Sequence, residues 1–261
     1  MRNTLLFLRA LVATNLKASV ALRGAFILQS IFMMFNNLIF FSVWWLFFER
    51  FKEVRGWQLA DMTALYGIVA GSFGFAVVFG GGTRSLSKMI SEGDLDSFMI
   101  QPKNLLLHAV GSQSMASGWG DILTGFILVG ISGYLSPSTV PLALSLFFTS
   151  TVIFIATGVL ISCIAFWAGA IDNVARIMTE FVITFSVYPQ TIFSGPIKWM
   201  LFTIVPAGYI GFLPVEILRE FSWIKFAAIL GAAVFYACFA VMVFNRGLKR
   251  YESGNRFGVR A

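Results

Sequence analysis

The segment Gly80–Lys103, which reads GGGTRSLSKMISEGDLDSFMIQPK, is the longest polar interruption in an otherwise strongly apolar chain. Three of the twelve acidic residues of the protein lie in it: Glu92, Asp94 and Asp96. Apolar residues recur in it at the spacing of one helix face: Leu86, Met89 and Ile90. Gly93 can end such a helix in a left-handed conformation, and Pro102 prevents its continuation. The segment therefore predicts a short helix that buries one face by docking.

The composition on either side of this segment is that of a membrane protein. Hydrophobic residues make up 58% of the 261 residues and charged residues 12%, whereas a soluble domain carries roughly 25% charged residues. The apolar stretches exceed the roughly 20 residues that a helix needs to cross a bilayer. Open sheets cannot satisfy their backbone in lipid, and the short alternating pattern of a barrel is missing, so we predict an all-α membrane protein.

Residues 1–24 predict an amphipathic helix at the membrane surface, because Arg2, Arg9, Lys17 and Arg23 project within an arc of roughly 120°. A basic lead-in to the first span is the alternative. We predict that residues 25–261 form a single transmembrane domain. Its six predicted spans are, approximately, 25–48, 59–79, 119–135, 142–168, 177–193 and 224–244. Prolines and glycines interrupt residues 194–223, which predicts a re-entrant segment before the sixth span.

The basic residues indicate how the spans are oriented. With both termini on one side, thirteen of the nineteen Lys and Arg residues fall on the side of residues 80–103. The positive-inside rule then places both termini and this segment in the cytoplasm, which requires an even number of spans. The net charge of +7 is explained by the membrane edges, so it gives no reason to expect a nucleic acid partner.

The chain has no recognisable motif for catalysis. It contains no GxxxxGK[ST] phosphate loop, no HExxH, no CxxC and no GxSxG. His108 is the single histidine, and we interpret it as a packing residue. We therefore predict no catalytic residue, no metal site and no cofactor in this chain.

Some residues of the spans are candidates for a transport pathway or a dimer interface, although simple helix packing explains each of them equally well. They are Asn36, Asn37, Gly71, Gly74, Asp121, Glu180, Tyr188 and Pro189. Asp121 and Glu180 are either helix-terminal charges at the interface or part of a transport path. We interpret Asp61, at the outer end of the second span, as a helix-terminal charge.

Two sequence motifs carry a resemblance to a known family. The run Glu92-Gly93-Asp94-Leu95-Asp96 with Gln101-Pro102 resembles the EGxLD…xP pattern of the small six-span permeases of bacterial type-2 ABC transporters. The run Gly247-Leu248-Lys249-Arg250-Tyr251-Glu252-Ser253 looks like the ending of the same permeases. Gln101 is a departure, because many relatives have a basic residue before the proline.

The resemblance implies a permease subunit of an ATP-driven exporter in the bacterial cytoplasmic (inner) membrane. It implies a dimer with an identical or sister permease in membrane lipid, and two separate ATPase subunits that bind ATP and Mg. The helix between the second and third spans would couple to the ATPase. Its implied contacts are Ser85, Leu86, Lys88, Met89, Ile90, Glu92, Asp94 and Asp96.

Two other classes of function are compatible with the composition. An ATP-independent secondary transporter or channel would need coupling acids deep in the membrane. A membrane-embedded enzyme of lipid metabolism would need metal or nucleophile patterns, which the sequence lacks. The transported substrate cannot be deduced from the sequence.

Overall fold

A computed structural model describes residues 2–251, apart from the side chains of residues 2–5 and 8. The chain folds almost entirely into helices. Their order is α1 (Arg2–Ala21), α2 (Arg23–Phe51), α3 (Leu59–Phe79), α4 (Thr83–Ser91), α5 (Asp96–Met99), α6 (Leu105–Gly111), α7 (Ser117–Ile131), α8 (Val140–Cys163), α9 (Ala165–Ala168), α10 (Asp172–Ser186), α11 (Pro196–Thr203), α12 (Leu213–Arg219) and α13 (Trp223–Leu248). Glu252 and Ser253 of the C-terminal motif, with Arg256 and Arg260, lie outside the described residues.

Within residues 2–251, four helical stretches are long and apolar enough to cross a membrane: α2, α3, α8 with its continuation α9, and α13. They correspond to the predicted first, second, fourth and sixth spans, so the prediction of an all-α membrane protein is confirmed. A bent helix pair before α13 would make a fifth candidate if it counts as one span.

The predicted third and fifth spans form shorter helices than the sequence suggested. Both α7 and α10 have 15 residues, fewer than the roughly 20 that cross a bilayer without tilt or thinning. The prediction that span five runs to residue 193 is wrong, because α10 ends at Ser186. Pro189 pushes the preceding residue away from helical geometry, so Tyr188 and Pro189 lie in an extended turn. The count of six spans stays a prediction.

The stretch 194–223 is broken, as its prolines and glycines predict. Gly195 has a φ of 59° and Pro196 opens α11, a start that the fixed φ of proline favours. A π-helical turn at Gly208–Phe212 leads into α12. The axis bends by 75° between α11 and the helix that ends at Arg219.

The centre of the fold is α3, whose side chains are buried along almost its whole length. Glycines permit close contact between α3 and α7. A Cβ on Gly125 would lie 2.5 Å from the Cα of Gly71 and 2.7 Å from the carbonyl oxygen of Gly67. Small residues allow helix backbones to approach in this way.

The bundle has two polar ends. At the end formed by α4, which we call the α4 end, the Ser162 hydroxyl donates to the Thr83 carbonyl at 3.1 Å. At the opposite end, Glu53–Val54 (β1) and Trp57–Gln58 (β2) pair as an antiparallel hairpin; we call this the hairpin end. Since α3 has 21 residues, these ends lie about 30 Å apart.

Candidate functional site

The predicted helix between the second and third spans exists as α4, and its apolar face is buried. Leu86, Met89 and Ile90 are all buried in the main hydrophobic core, where α4 packs against α6, α8, α9 and α10. The Ser87 hydroxyl donates to Asp172 Oδ1 at 2.8 Å at the start of α10. Gly93 follows the helix with a φ of 80°, the left-handed conformation predicted for its end. The buried face of this helix therefore docks against the other helices of the same chain.

The opposite face of α4 and the turn after α5 form an exposed surface. Lys88 is exposed and lies 3.8 Å from Glu92, a surface ion pair worth little in water. At the end of α5, Met99 is half exposed, and Ile100, which follows it, is 85% exposed. We call Lys88, Met99 and Ile100 the coupling surface. Adjacent exposed apolar side chains at a polar end of the bundle are available to contact another protein.

The predicted ATPase contacts divide accordingly. Lys88 is exposed, and Ser85, Glu92, Asp94 and Asp96 are partly buried. Leu86, Met89 and Ile90 are enclosed by this chain, so in this structure they are not available to another protein. The sequence interpretation overlooked Met99 and Ile100. Their signal was an apolar pair immediately before Gln101-Pro102, where the helix could no longer shield them.

The two motifs that carry the family resemblance meet at the α4 end. Tyr251 lies against Asp96, and burial followed by the nearness of that carboxylate raises the pKa of Tyr251 to about 12. Its ring also makes an edge contact with Phe166, with 6.4 Å between centroids. The end of α13 is thereby attached to the segment that follows α4.

His108 packs between aromatic rings, as the sequence interpretation expected. Its ring lies 5.2 Å from the Phe7 centroid of α1 and 4.8 Å from the Phe98 centroid of α5, both edge-on. Its Nδ1 is buried without a hydrogen-bond partner among residues 2–251. Burial lowers the pKa of His108 below its ordinary value. The histidine therefore joins the N-terminal helix to the region after α4.

Two of the pathway candidates bind each other inside one chain. Asn37 Nδ2 donates to Asp121 Oδ1 at 2.7 Å, which joins α2 to α7. The Tyr66 hydroxyl of α3 lies 3.5 Å from Asn37 Oδ1. All three side chains are buried, and Asp121 is only 2% exposed. A buried carboxylate with an amide partner stabilises the packing of the three helices.

The glycine candidates also belong to packing within the chain. A Cβ on Gly74 would lie 2.6 Å from the Gly118 carbonyl oxygen, and one on Gly71 would lie 2.5 Å from the Phe147 ring. The structure therefore places both glycines between helices of one chain and not on its outer surface.

Of the four remaining candidates, three are exposed and one is buried. Asn36 is exposed on α2 and Glu180 on α10. Tyr188 contacts Trp44, with 5.2 Å between ring centroids, and Pro189 is buried. The structure does not bring these four residues together with the Asn37–Asp121 pair.

A polar cluster at the hairpin end was not foreseen. Asp61 is 1% exposed and accepts hydrogen bonds from three elements. The donors are the Tyr134 hydroxyl at 2.6 Å, the Gln58 backbone N–H at 2.8 Å and Arg219 Nε at 2.9 Å. Arg219 Nη2 also pairs with Asp61 and donates to the Gly56 carbonyl at 2.8 Å. We call this arrangement the Asp61 cluster; it ties the hairpin, α3, α12 and the turn before α8 together.

The described residues offer no obvious place for a metal. Within residues 2–251, no three His, Cys, Asp or Glu side chains come together in a geometry that could hold a metal ion.

The comparisons with known proteins agree with the architecture. The chain matches the family described as ABC-2 family transporter protein over residues 18–255. Neither the curated proteins nor the solved structures give a significant match. Since the family match covers nearly the whole chain and the helices suit a membrane, this protein belongs to the ABC-2 transporter family and is a membrane permease of an ABC transporter, a kind of protein that works with ABC ATPase subunits.

Proposed function

We propose that the chain forms one half of the membrane pathway of an exporter and that a separate ATPase docks on the coupling surface. ATP and Mg would bind to the ATPase, since this sequence carries no phosphate loop. Two ATPase subunits and two permeases would complete the transporter. The export direction rests on the resemblance of the EGDLD segment to exporter permeases.

The single observation that supports this proposal is the two-sided character of the α4 region. One side is buried in the bundle through Leu86, Met89 and Ile90, while the other presents Lys88, Met99 and Ile100. An ATPase that binds the exposed side therefore acts on a helix already fixed in the membrane domain. A flexible loop would absorb such a displacement.

The contacts of α4 suggest where that displacement goes. The helix packs most heavily on α8, and the Ser87–Asp172 bond joins it to α10. Small movements of packed helices are a common way for a bound state to reach a distant site. ATP-driven movement of α4 would therefore tilt α8 and α10 with it.

The ends of the helices support six crossings. From the α4 end, α2, α7 and α10 lead towards the hairpin end, and α3, α8 and α13 return. The broken stretch from α11 to α12 begins and ends at the hairpin end, as a re-entrant segment would. Most of the basic residues belong to the α4 end, so we place that end and both termini in the cytoplasm. The compartment would be the bacterial inner membrane.

A second permease is proposed because polar groups remain on surfaces that would face lipid. Asn36 lies among exposed apolar residues of α2, including Phe32 and Phe35. Lipid offers an amide no hydrogen-bond partner, whereas a neighbouring helix does. Glu180 raises the same requirement on α10.

Disulfide cross-linking tests whether a second, identical permease packs against this surface of α2. With Cys163 and Cys238 replaced by alanine, Asn36→Cys should form a dimer under oxidation if two identical copies meet there. Val234→Cys, on the exposed face of α13, is the control. If only the Val234→Cys variant cross-links, this interface is wrong.

The docking proposal is tested by charge reversal at matched exposed lysines. Lys88→Glu lies on the coupling surface, and Lys198→Glu is exposed at the hairpin end. Tagged protein purified from native membranes should retain an ABC ATPase subunit with the Lys198→Glu variant. The double variant Lys88→Glu with Ile100→Asp should recover at least about tenfold less ATPase subunit. That decrease corresponds to a loss of roughly 1.4 kcal/mol or more in binding free energy.

Equal ATPase recovery by the double variant and the control would contradict the proposed docking surface. The exposure of Lys88 and Ile100 makes the variant compatible with folding, because neither side chain contributes to the core. Circular dichroism and gel filtration of the purified variants check that point.

A further inference from the structure

A cavity of about 560 Å³ opens between the N-terminal helix and the linker from α6 to α7. Its volume is within the usual range for small-molecule sites. Polar and apolar side chains share its wall at the α1–α2 junction. The polar ones are Asn15, Ser19, Gln29, Ser112, Gln113, Ser114 and Ser117. Leu22, Phe26 and Met115 are the large apolar ones.

Contacts on both sides fix the shape of the cavity. Asn15 Nδ2 donates to the Gly111 carbonyl at 2.6 Å, which holds α1 against α6. The Ser30 hydroxyl donates to the Ala116 carbonyl at 3.1 Å, which holds α2 against the linker. The walls are therefore attached to each other at points that flank the opening.

The charge around the cavity has one sign. Residues 1–48 and 97–120 supply every lining residue, and neither stretch contains an Asp or a Glu. Lys17 and Arg23 are exposed and line a second recess on another face of the same helix junction. Two long cationic side chains thus belong to this junction, with no acid in either stretch to neutralise them.

One lining hydroxyl has no partner. Ser114 Oγ is enclosed, yet it makes no hydrogen bond within residues 2–251. A buried hydroxyl without a partner costs free energy, so such a group is normally satisfied by something bound beside it. Hydroxyl and amide donors next to cations are the groups that bind phosphate oxygens.

We propose that this cavity binds the phosphate of an anionic phospholipid from the leaflet on which α1 lies. The headgroup would occupy the polar part of the wall, and the long side chains of Lys17 and Arg23 would reach its rim from the neighbouring recess. The acyl chains would lie along the exposed apolar side of α2, where Ile27 and Leu28 are both more than half exposed. Basic clusters at a membrane surface attract anionic lipid in this way. The site makes no use of the coupling surface.

Native mass spectrometry of the full chain, purified in detergent, tests the proposal. Phosphatidylglycerol, phosphatidylcholine and inorganic phosphate are the three probes. We expect bound phosphatidylglycerol, and an affinity at least about fivefold lower in the double variant Lys17→Gln with Arg23→Gln. Ser114→Val should weaken binding without changing the charge. The control is Arg246→Gln with Lys249→Gln, which removes two cations at the C-terminal end of α13.

Three results would overturn the proposal. Equal phosphatidylglycerol binding by the Lys17/Arg23 variant and the unmodified chain would exclude the cavity. An equal loss in the Arg246/Lys249 control would show general attraction between charges. Inorganic phosphate binding as tightly as the lipid would make this a site for a soluble anion. Since Lys17 and Arg23 are exposed, their substitution leaves the fold intact, and thermal unfolding of the lipid-free variants verifies this.

Discussion

Replacing Arg219 with glutamine should strongly destabilise the protein, because it removes the ion partner of a carboxylate that is 1% exposed. Asp61 would keep the Tyr134 hydroxyl and the Gln58 N–H as donors. It would lose two charge-assisted hydrogen bonds, worth about 1.5–3 kcal/mol each. The Arg219 side chain is 44% exposed, so water can partly replace it. We therefore expect a loss of about 2–4 kcal/mol in the free energy of unfolding, below the roughly 3–5 kcal/mol of a fully buried pair.

Equilibrium unfolding in mixed detergent micelles, followed by tryptophan fluorescence, measures this loss. Lys225→Gln is the matched control. It breaks the bridge between Lys225 and Glu216 at 2.9 Å, whose partners are both partly exposed, and should cost no more than about 1 kcal/mol. Adding Asp61→Asn to Arg219→Gln should cost less than the two single changes together, with a coupling energy of about 1–3 kcal/mol. A loss no larger than that of Lys225→Gln, or strict additivity with Asp61→Asn, would refute the reasoning.

Two further predictions concern packing and pH. Gly74→Ala should lower the free energy of unfolding by about 1–3 kcal/mol, because its Cβ would meet backbone atoms of α7; Gly130→Ala, with nothing within 4 Å, is the control and should be neutral or stabilising. A smaller effect at Gly74 than at Gly130 would show that the helices separate easily. The pKa of His108 is lowered in the folded state, so as the pH falls the unfolded chain takes up this proton at a higher pH than the folded chain does. The free energy of unfolding should therefore decrease as the pH drops below about 6.5. His108→Gln should flatten that part of the curve of unfolding free energy against pH, and an unchanged curve would mean that His108 does not titrate there.

Sequence rules correctly predicted the features that depend on the conformational preference of a single residue. The left-handed Gly93 after α4 and the breaks around Pro196 follow from the conformational preferences of single residues. The end of α10 was misplaced because apolar sequence continues beyond Ser186, and hydrophobicity does not distinguish a helix from the buried turn that follows. The hairpin was not predicted, because Arg55-Gly56 is not one of the typical hairpin pairs; in the structure both residues have a positive φ, as a two-residue hairpin loop requires.

The sequence could not predict which distant residues contact each other in the fold. The spacing of Leu86, Met89 and Ile90 indicated burial, but it could not show whether this chain or a partner buries them. Asp61 and Arg219 are 158 positions apart, and nothing in either neighbourhood identifies the other. For the same reason the amide of Asn37 suggested a bonding partner without identifying Asp121.

The unequal lengths of α2 and α7 have a consequence for the bilayer. These packed neighbours have 29 and 15 residues, or about 44 Å and 22 Å at 1.5 Å per residue. Lipid beside α7, whose Phe126, Ile127 and Ile131 are exposed, meets a hydrophobic height smaller than the usual core of about 30 Å. If α7 is the third span, the membrane must thin on that flank, so lipids with short acyl chains should favour this protein and thick sterol-rich bilayers should disfavour it.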